Sequence, residues 1–157
     1  MDEKLEIKTI RELYKYSFYI PSYQRGYRWG KQETKDLLDD IDNFEPQQIR
    51  NTNEKTWYCL QPIVVKNRNE NEYEVIDGQQ RLTTIYLILH YLNRAFIKED
   101  QEKLFKIDYQ TREKTKEFLE ELGTENLKNK KNDNIDFYYI SQAYNTIEEW
   151  FIKKGKR

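Results

Sequence analysis

A short alternating strand, Tyr73 to Ile76, runs into the pentapeptide Asp77-Gly78-Gln79-Gln80-Arg81 and then into a stretch striped with Leu82, Ile85, Tyr86, Leu89, Leu92 and Phe96. No other feature restricts the fold as much. The 3.6-residue period predicts a helix from about Leu82 to Ile97, long enough to be the central element of the core. Gly78 lets the chain reverse tightly between the two elements. The helix then directs its unpaired first-turn N–H groups and its positive dipole end back at the turn, where Arg81 adds a full charge. Such a turn is a cradle for a phosphate or carboxylate. The plainer alternative is a strand-to-helix turn with Asp77 as cap, Gly78 for geometry, and Gln79, Gln80 and Arg81 as helix formers on a solvated first turn. Arginine at a helix N-terminus opposes the macrodipole by a few tenths of a kcal/mol to about 1 kcal/mol. An anion shared by both would reverse that penalty.

The chemistry divides among the residues. Backbone N–H groups of Gly78, Gln79 and Gln80 would hold phosphate oxygens, and Arg81 would add a planar, bidentate clamp. Gln79 and Gln80 would orient a water or bind sugar and base, which makes Gln80 a candidate catalytic residue. Asp77 does not favour phosphate by direct contact. It would hold a divalent cation such as Mg²⁺ or a water, or position Arg81. Thr83 and Thr84 follow within a turn, and either hydroxyl could serve a metal or phosphate or simply line the helix surface.

A second cluster, Ile20-Pro21-Ser22-Tyr23-Gln24-Arg25-Gly26-Tyr27-Arg28-Trp29, repeats the Gln-Arg pairing about 55 residues earlier. Trp29 and Tyr27 are expected to pack in the core, whereas Gln24 and Arg25 are harder to explain that way. Arg28 is a weaker candidate, equally a surface residue.

Together the two segments resemble the N-terminal domain of the GmrSD-type modification-dependent restriction enzymes, a bacterial phage-defence family related in fold to ParB and sulfiredoxin. The family pattern I-P-x-Y-Q-R-x-Y-x-W is matched from Ile20 to Trp29, and I-D-G-Q-Q-R-L-T-T from Ile76 to Thr84. The likeness extends more loosely to Asn134-Ile135-Asp136-Phe137-Tyr138 and Ala143-Tyr144. It implies an α/β fold (mixed α+β), with a ParB/sulfiredoxin-like small sheet whose β-hairpin leads into a central helix, followed by a helical C-terminal part. It implies a nucleotide-binding, NTP-hydrolysing regulatory domain, with a nucleoside triphosphate and Mg²⁺ as cofactors. Gln24 and Arg25 would then line the same pocket as Gly78, Gln79, Gln80, Arg81 and Thr84. Asp77 and Gln80 would be catalytic, and Asp77 would reach the metal. The cutting of modified DNA belongs in that family to a separate C-terminal HNH or His-Me finger nuclease module, so DNA is expected as a partner only of the full-length protein.

Composition bounds these expectations. At 157 residues the chain fits one domain, read as a core over 1–97 with a helical extension over 98–157, and as a fragment of a longer polypeptide. Hydrophobic residues are only 37% of the total, but aromatics are 15%, with 13 Tyr, so large amphipathic rings must build much of the core. Net charge is −1, which excludes a global positive field of the kind that drives non-specific DNA binding. The single cysteine, Cys59, forms no intrachain disulfide. No apolar run approaches a membrane span, and the amino terminus lacks a signal-peptide core. A cytoplasmic protein is expected, for which assembly into oligomers stays open. Sulfiredoxin-type chemistry needs a cysteine in the glycine turn, where this chain has Gln79. With His90 as the only histidine, no metal cluster or His-based triad can be assembled, and the chain is not expected to cut DNA by itself. The alternative function is a non-enzymatic module in which Tyr23, Tyr27 and Trp29 read a modified base or backbone in DNA. A degenerate interaction scaffold is a third.

Elsewhere, spacing predicts a short helix through Ile7, Ile10, Leu13 and Tyr14, a strand at Phe18 to Ile20, and a helix from Lys31 to Phe44. Thr56 to Lys66 and Glu72 to Ile76 read as a hairpin joined by the polar stretch Asn67 to Asn71, with Cys59 in its first strand. Lys98 to Asp108 is ambiguous. Thr111 to Leu122 reads as helix ending at Gly123, and Phe137, Ile140, Tyr144, Ile147 and Phe151 mark a last helix. Lys128, Lys130 and Lys131 lie in a loop between them.

Overall fold

The computed structural model describes residues 4–96, 98–110, 114–125, 130 and 133–155. Strand β1, Ser17–Ile20, lies parallel to both of its neighbours, β3 (Glu72–Asp77) and β4 (Lys106–Tyr109). Strand β2, Val64–Asn69, pairs antiparallel with β3 at the edge, giving the order β2-β3-β1-β4. The helices are α1 (Lys31–Asn43), α2 (Gln79–Asn93), α3 (Thr115–Glu120) and α4 (Ile135–Lys153). The result is the expected mixed α/β fold with a small sheet and helices.

Period-2 burial orients the sheet. Phe18, Ile20, Val75, Ile107 and Tyr109 are buried, whereas Tyr19, Glu74, Lys106 and Asp108 alternate with them and are not. α2 covers the apolar face, with Leu82 and Leu87 wholly buried and Thr83 hydrogen-bonded to Tyr109 at 2.8 Å. α4 closes the other side of the helical layer. Its Trp150 indole N–H donates to Asp39 of α1 at 2.7 Å, and Phe151 stacks on Tyr91 of α2. The start of α4 is set by Asn134, whose side chain accepts from the Phe137 N–H at 2.9 Å, an N-cap.

Several elements differ from the reading of the sequence. The long β-rich stretch yields a strand only from Val64, after Pro62, which has no N–H to offer a ladder. Trp57 and Tyr58 are exposed, and Cys59 lies outside any strand. Polar Asn67 to Asn69 belongs to β2 rather than to a loop, because an exposed edge strand needs paired backbone and not apolar side chains. The reversal is tighter, at Glu70-Asn71, with Asn71 at φ 59°, a conformation that asparagine tolerates. The ambiguous segment contains β4, and so the stretch after residue 97 supplies a strand as well as helices. α2 begins three residues earlier than expected and stops at Asn93, leaving Leu92 and Phe96 exposed rather than in the core. The N-terminal helix is a 3₁₀ turn, Arg11–Lys15, with Ile7 exposed. α3 is shorter than its pattern, although Gly123 does follow at φ 79°. Lys130 pairs with Glu121 at 3.0 Å, while Lys128 and Lys131 lie outside the described residues.

Two core hydroxyls, those of Tyr27 and Tyr86, titrate late. Burial pushes Tyr27 up to about 12 despite hydrogen bonding with Thr84 and Thr34, and burial with nearby Glu120 does the same for Tyr86. A phenol whose folded value lies above its ordinary value of about 10 holds its proton more tightly in the native state. Its contribution is therefore complete below pH ~10 and is lost as pH rises through the folded value. The urea midpoint should fall steeply between about pH 10 and 12, and Tyr27→Phe should lessen the fall. A midpoint flat across that range would contradict this.

Candidate functional site

Because β1 and β3 are parallel, the loop after β1 and the turn after β3 emerge at the same edge of the sheet. Ligand sites of open α/β sheets form at such carboxyl ends. Pro21 ends the backbone pairing of β1, and side-chain amides take over. Gln24 Nε2 donates to the carbonyls of Val75 and Ile76 at 2.5 and 3.1 Å. Gln79 Nε2 donates to Arg25 O at 2.7 Å, and its Oε1 accepts from the Tyr109 hydroxyl at 3.1 Å. Gln80 is engaged at both ends: Nε2 donates to Gly26 O at 3.0 Å, while Oε1 accepts from the N–H of Arg28 at 2.8 Å and of Trp29 at 3.3 Å. Its amide behaves like one peptide unit of a neighbouring strand. Three glutamines thus lash residues 24–29 to the strand-turn-helix.

Gly78 makes the turn possible. It sits at φ 92°, and a Cβ there would lie 3.2 Å from Ile63 Cγ1 and 3.3 Å from the Ile63 Cα. Glycine satisfies both the left-handed backbone and the close approach of the incoming chain. No side chain caps α2, and its first turn carries no acidic residue. Its leading N–H groups therefore receive no side-chain cap, and Arg81 stands beside them in the third helical position.

Arg81 opens onto a cleft of about 410 Å³ lined by Trp29, Gln61, Pro62, Val64, Asp77, Gly78, Gln80 and Arg81. Its Nη2 donates to Gln61 Oε1 at 2.7 Å, and its guanidinium carbon lies 5.9 Å from the Trp29 ring centroid. Asp77 is exposed at the rim. The cleft brings together Asp77, Gly78, Gln80 and Arg81 of the expected set. Gln24 and Arg25 are outside its lining: Gln24 is spent on the β3 carbonyls, and the Arg25 side chain is exposed. Thr84 is wholly buried, sharing its hydroxyl with Tyr27 at 2.8 Å and donating to Gln80 O at 2.9 Å. Trp29, expected as a packing residue, does pack against the core from a half-buried position and also walls the cleft. Gln61 was not foreseen, because it comes from an irregular stretch without motif.

Other candidates take structural places. Arg28 ion-pairs with buried Asp136 of α4 instead of facing solvent. His90 Nε2 lies 3.4 Å from Glu120 O between the Tyr86 and Tyr144 rings, and burial holds its pKa below the ordinary histidine value.

A mixed α/β domain with an arginine-bearing cleft at the carboxyl ends of parallel strands is the class that this geometry defines. Residues 7–156 match the GmrSD restriction endonuclease, N-terminal domain, and the chain belongs to that family, which is associated with restriction and phage defence. No curated protein and no solved structure matches the chain. Among the described residues, no helix is long and apolar enough to cross a membrane.

If Gln80 is the tie between loop and turn, Gln80→Glu should set a carboxylate oxygen against Gly26 O. The expected loss is about 1–3 kcal/mol at neutral pH, the range for a buried group left without its partner. Urea unfolding checks it, and a variant as stable as the parent would contradict the clamp.

Proposed function

We propose that this domain binds a nucleoside triphosphate in the Trp29–Arg81 cleft and relays its occupancy to a nuclease module of the HNH or His-Me finger type elsewhere in a DNA-restriction protein. The observation that carries the reading is the placement of Arg81 beside the uncapped N-terminus of α2, at the mouth of a cleft with an indole wall. A phosphate there would meet a cation, helix N–H donors and the positive dipole end together. It would replace the neutral Gln61 partner of Arg81 with a charge-assisted, bidentate one. Trp29 offers a flat face to a base.

Among the described residues, no group of three or more His, Cys, Asp or Glu side chains could hold a metal. A cation caged by protein alone does not fit. Mg²⁺ does fit in its common mode, one carboxylate plus phosphate oxygens and waters, with Asp77 as the carboxylate. When bound, Mg²⁺ would neutralise the charge of the triphosphate. For hydrolysis, Asp77 is the carboxylate in place to orient a water. We assign Gln80 a positioning role, because its amide is already held by three backbone groups, and Thr84 a supporting one behind the helix. The glycine turn ahead of the helix also supports kinship with ParB and sulfiredoxin domains. The setting is cytoplasmic, where nucleotides and modified DNA meet.

A thermal-shift titration with ATP, GTP, CTP and UTP, with and without Mg²⁺, tests the reading. Ligand at about 100 times Kd should add about 2.7 kcal/mol, worth several degrees at ~2–4 °C per kcal/mol. Arg81→Ala should abolish the shift. A folded chain that shifts with none of the four, but binds modified DNA at low salt, would transfer the cleft to base recognition.

A further inference from the structure

We infer that Asp136, on the last helix, is a positioning residue for the cleft, acting through Arg28 and Gly26. The segment Gly26 to Trp29 is held by two helices at once. α2 contributes Gln80, which grips Gly26 O and the N–H groups of Arg28 and Trp29. α4 contributes Asp136, whose carboxylate pairs with Arg28 Nη1 and lies so close to Gly26 that a Cβ there would overlap it. The Asp136 side chain is only 3% exposed and that of Arg28 22%, so water has little share in the pairing.

Arg28 joins the two grips. Its Nη1 also donates to Tyr27 O at 2.7 Å, and its guanidinium carbon lies 5.5 Å from the ring centroid of Tyr139, again on α4. The same residue's backbone N–H is bound by Gln80, and the next residue is the indole wall of the cleft, facing Arg81. A guanidinium that loses its buried counter-charge is strongly destabilised and moves toward solvent when it can. That movement would draw the 26–29 backbone off Gln80 and turn Trp29 away from Arg81. α4 does not need Asp136 to stay docked. Trp150 and Lys154 bind Asp39 and Asp42 of α1, and Tyr144 meets Arg94, which caps the end of α2. The carboxylate is therefore suited to setting the cleft rather than to fastening the helix.

The ligand arm of the test rests on the nucleotide reading; the spectroscopic arm does not. In ¹H–¹⁵N spectra of the free 157-residue chain, Asp136→Asn should move the side-chain amide resonance of Gln80 and the indole resonance of Trp29, and leave that of Trp150 in place. The Kd for whichever of ATP, GTP, CTP or UTP binds with Mg²⁺, measured well below the Tm, should rise on the order of tenfold. Unmoved Gln80 and Trp29 resonances, or an unchanged Kd in the folded variant, would overturn the inference. A parent chain that binds none of the four nucleotides sinks the nucleotide reading, and the resonances alone then decide the positioning role. Should Asp136→Asn fail to fold, Arg28→Lys keeps a charge for Asp136 but not the planar guanidinium. It should move the same two resonances, and silence there would overturn the inference equally.

Discussion

The cleft depends on one side-chain amide. Gln80 projects from the first turn of α2 and meets a run of backbone that has left the sheet and has no strand beside it. By accepting from two N–H groups and donating to one carbonyl, it gives residues 26–29 the hydrogen bonding that a ladder would have provided. Buried backbone polar groups require such partners. A loop following Pro21 therefore stays ordered without regular structure of its own. Gln24 and Gln79 extend the same principle on either side.

This arrangement separates two roles that the Gln-Arg pairs place side by side in the sequence. The glutamines face inward and are consumed by backbone groups, while the arginines remain at the surface. Arg81 meets only a neutral amide and an indole among the contacts described above, and it stands at the positive end of α2. Asp77, in turn, sits two residues before the helix and is exposed at the end of β3, where it can approach a ligand without competing for the turn's own donors. The parallel pairing of β1 with β3 makes this sharing possible, since it brings segments more than fifty residues apart to one edge of the sheet.

The sequence revealed the elements that had a strong period or a specific motif. α2 and α4 were legible from apolar stripes such as Leu82-Ile85-Tyr86 and Ile140-Tyr144-Ile147, α1 from Leu37 and Leu38, and the turn from Gly78. What escaped lacked local signal. β4 is four residues long, Lys-Ile-Asp-Tyr, and is a strand only because β1 lies beside it. The hairpin reading reached Val64 to Lys66 of β2 but not Asn67 to Asn69, which are exposed like the rest of that strand and are defined by pairing with β3 rather than by hydropathy. At the site, residue types suggested ligand contact for Gln79, Gln80 and Thr84, but type alone does not distinguish an amide or hydroxyl facing a ligand from one satisfied by backbone. Gln61 and Asp136 reach the site through tertiary packing, which no spacing rule encodes, although Asp136 does lie in the stretch that loosely resembles the family.

The last helix also has a consequence for the order in which the protein is made. Arg28 and Asp136 are separated by 108 positions, and Asp39 and Trp150 by 111. Contacts of such long separation delay folding, because the loop between them must close before they contribute. During synthesis, residues 24–29 and 77–84 leave the ribosome well before α4. Gln80 can dock early, but the opposing grip on Gly26 and Arg28 forms only once nearly the whole domain has emerged. Both grips on residues 26–29 can thus be in place only after α4 has left the ribosome.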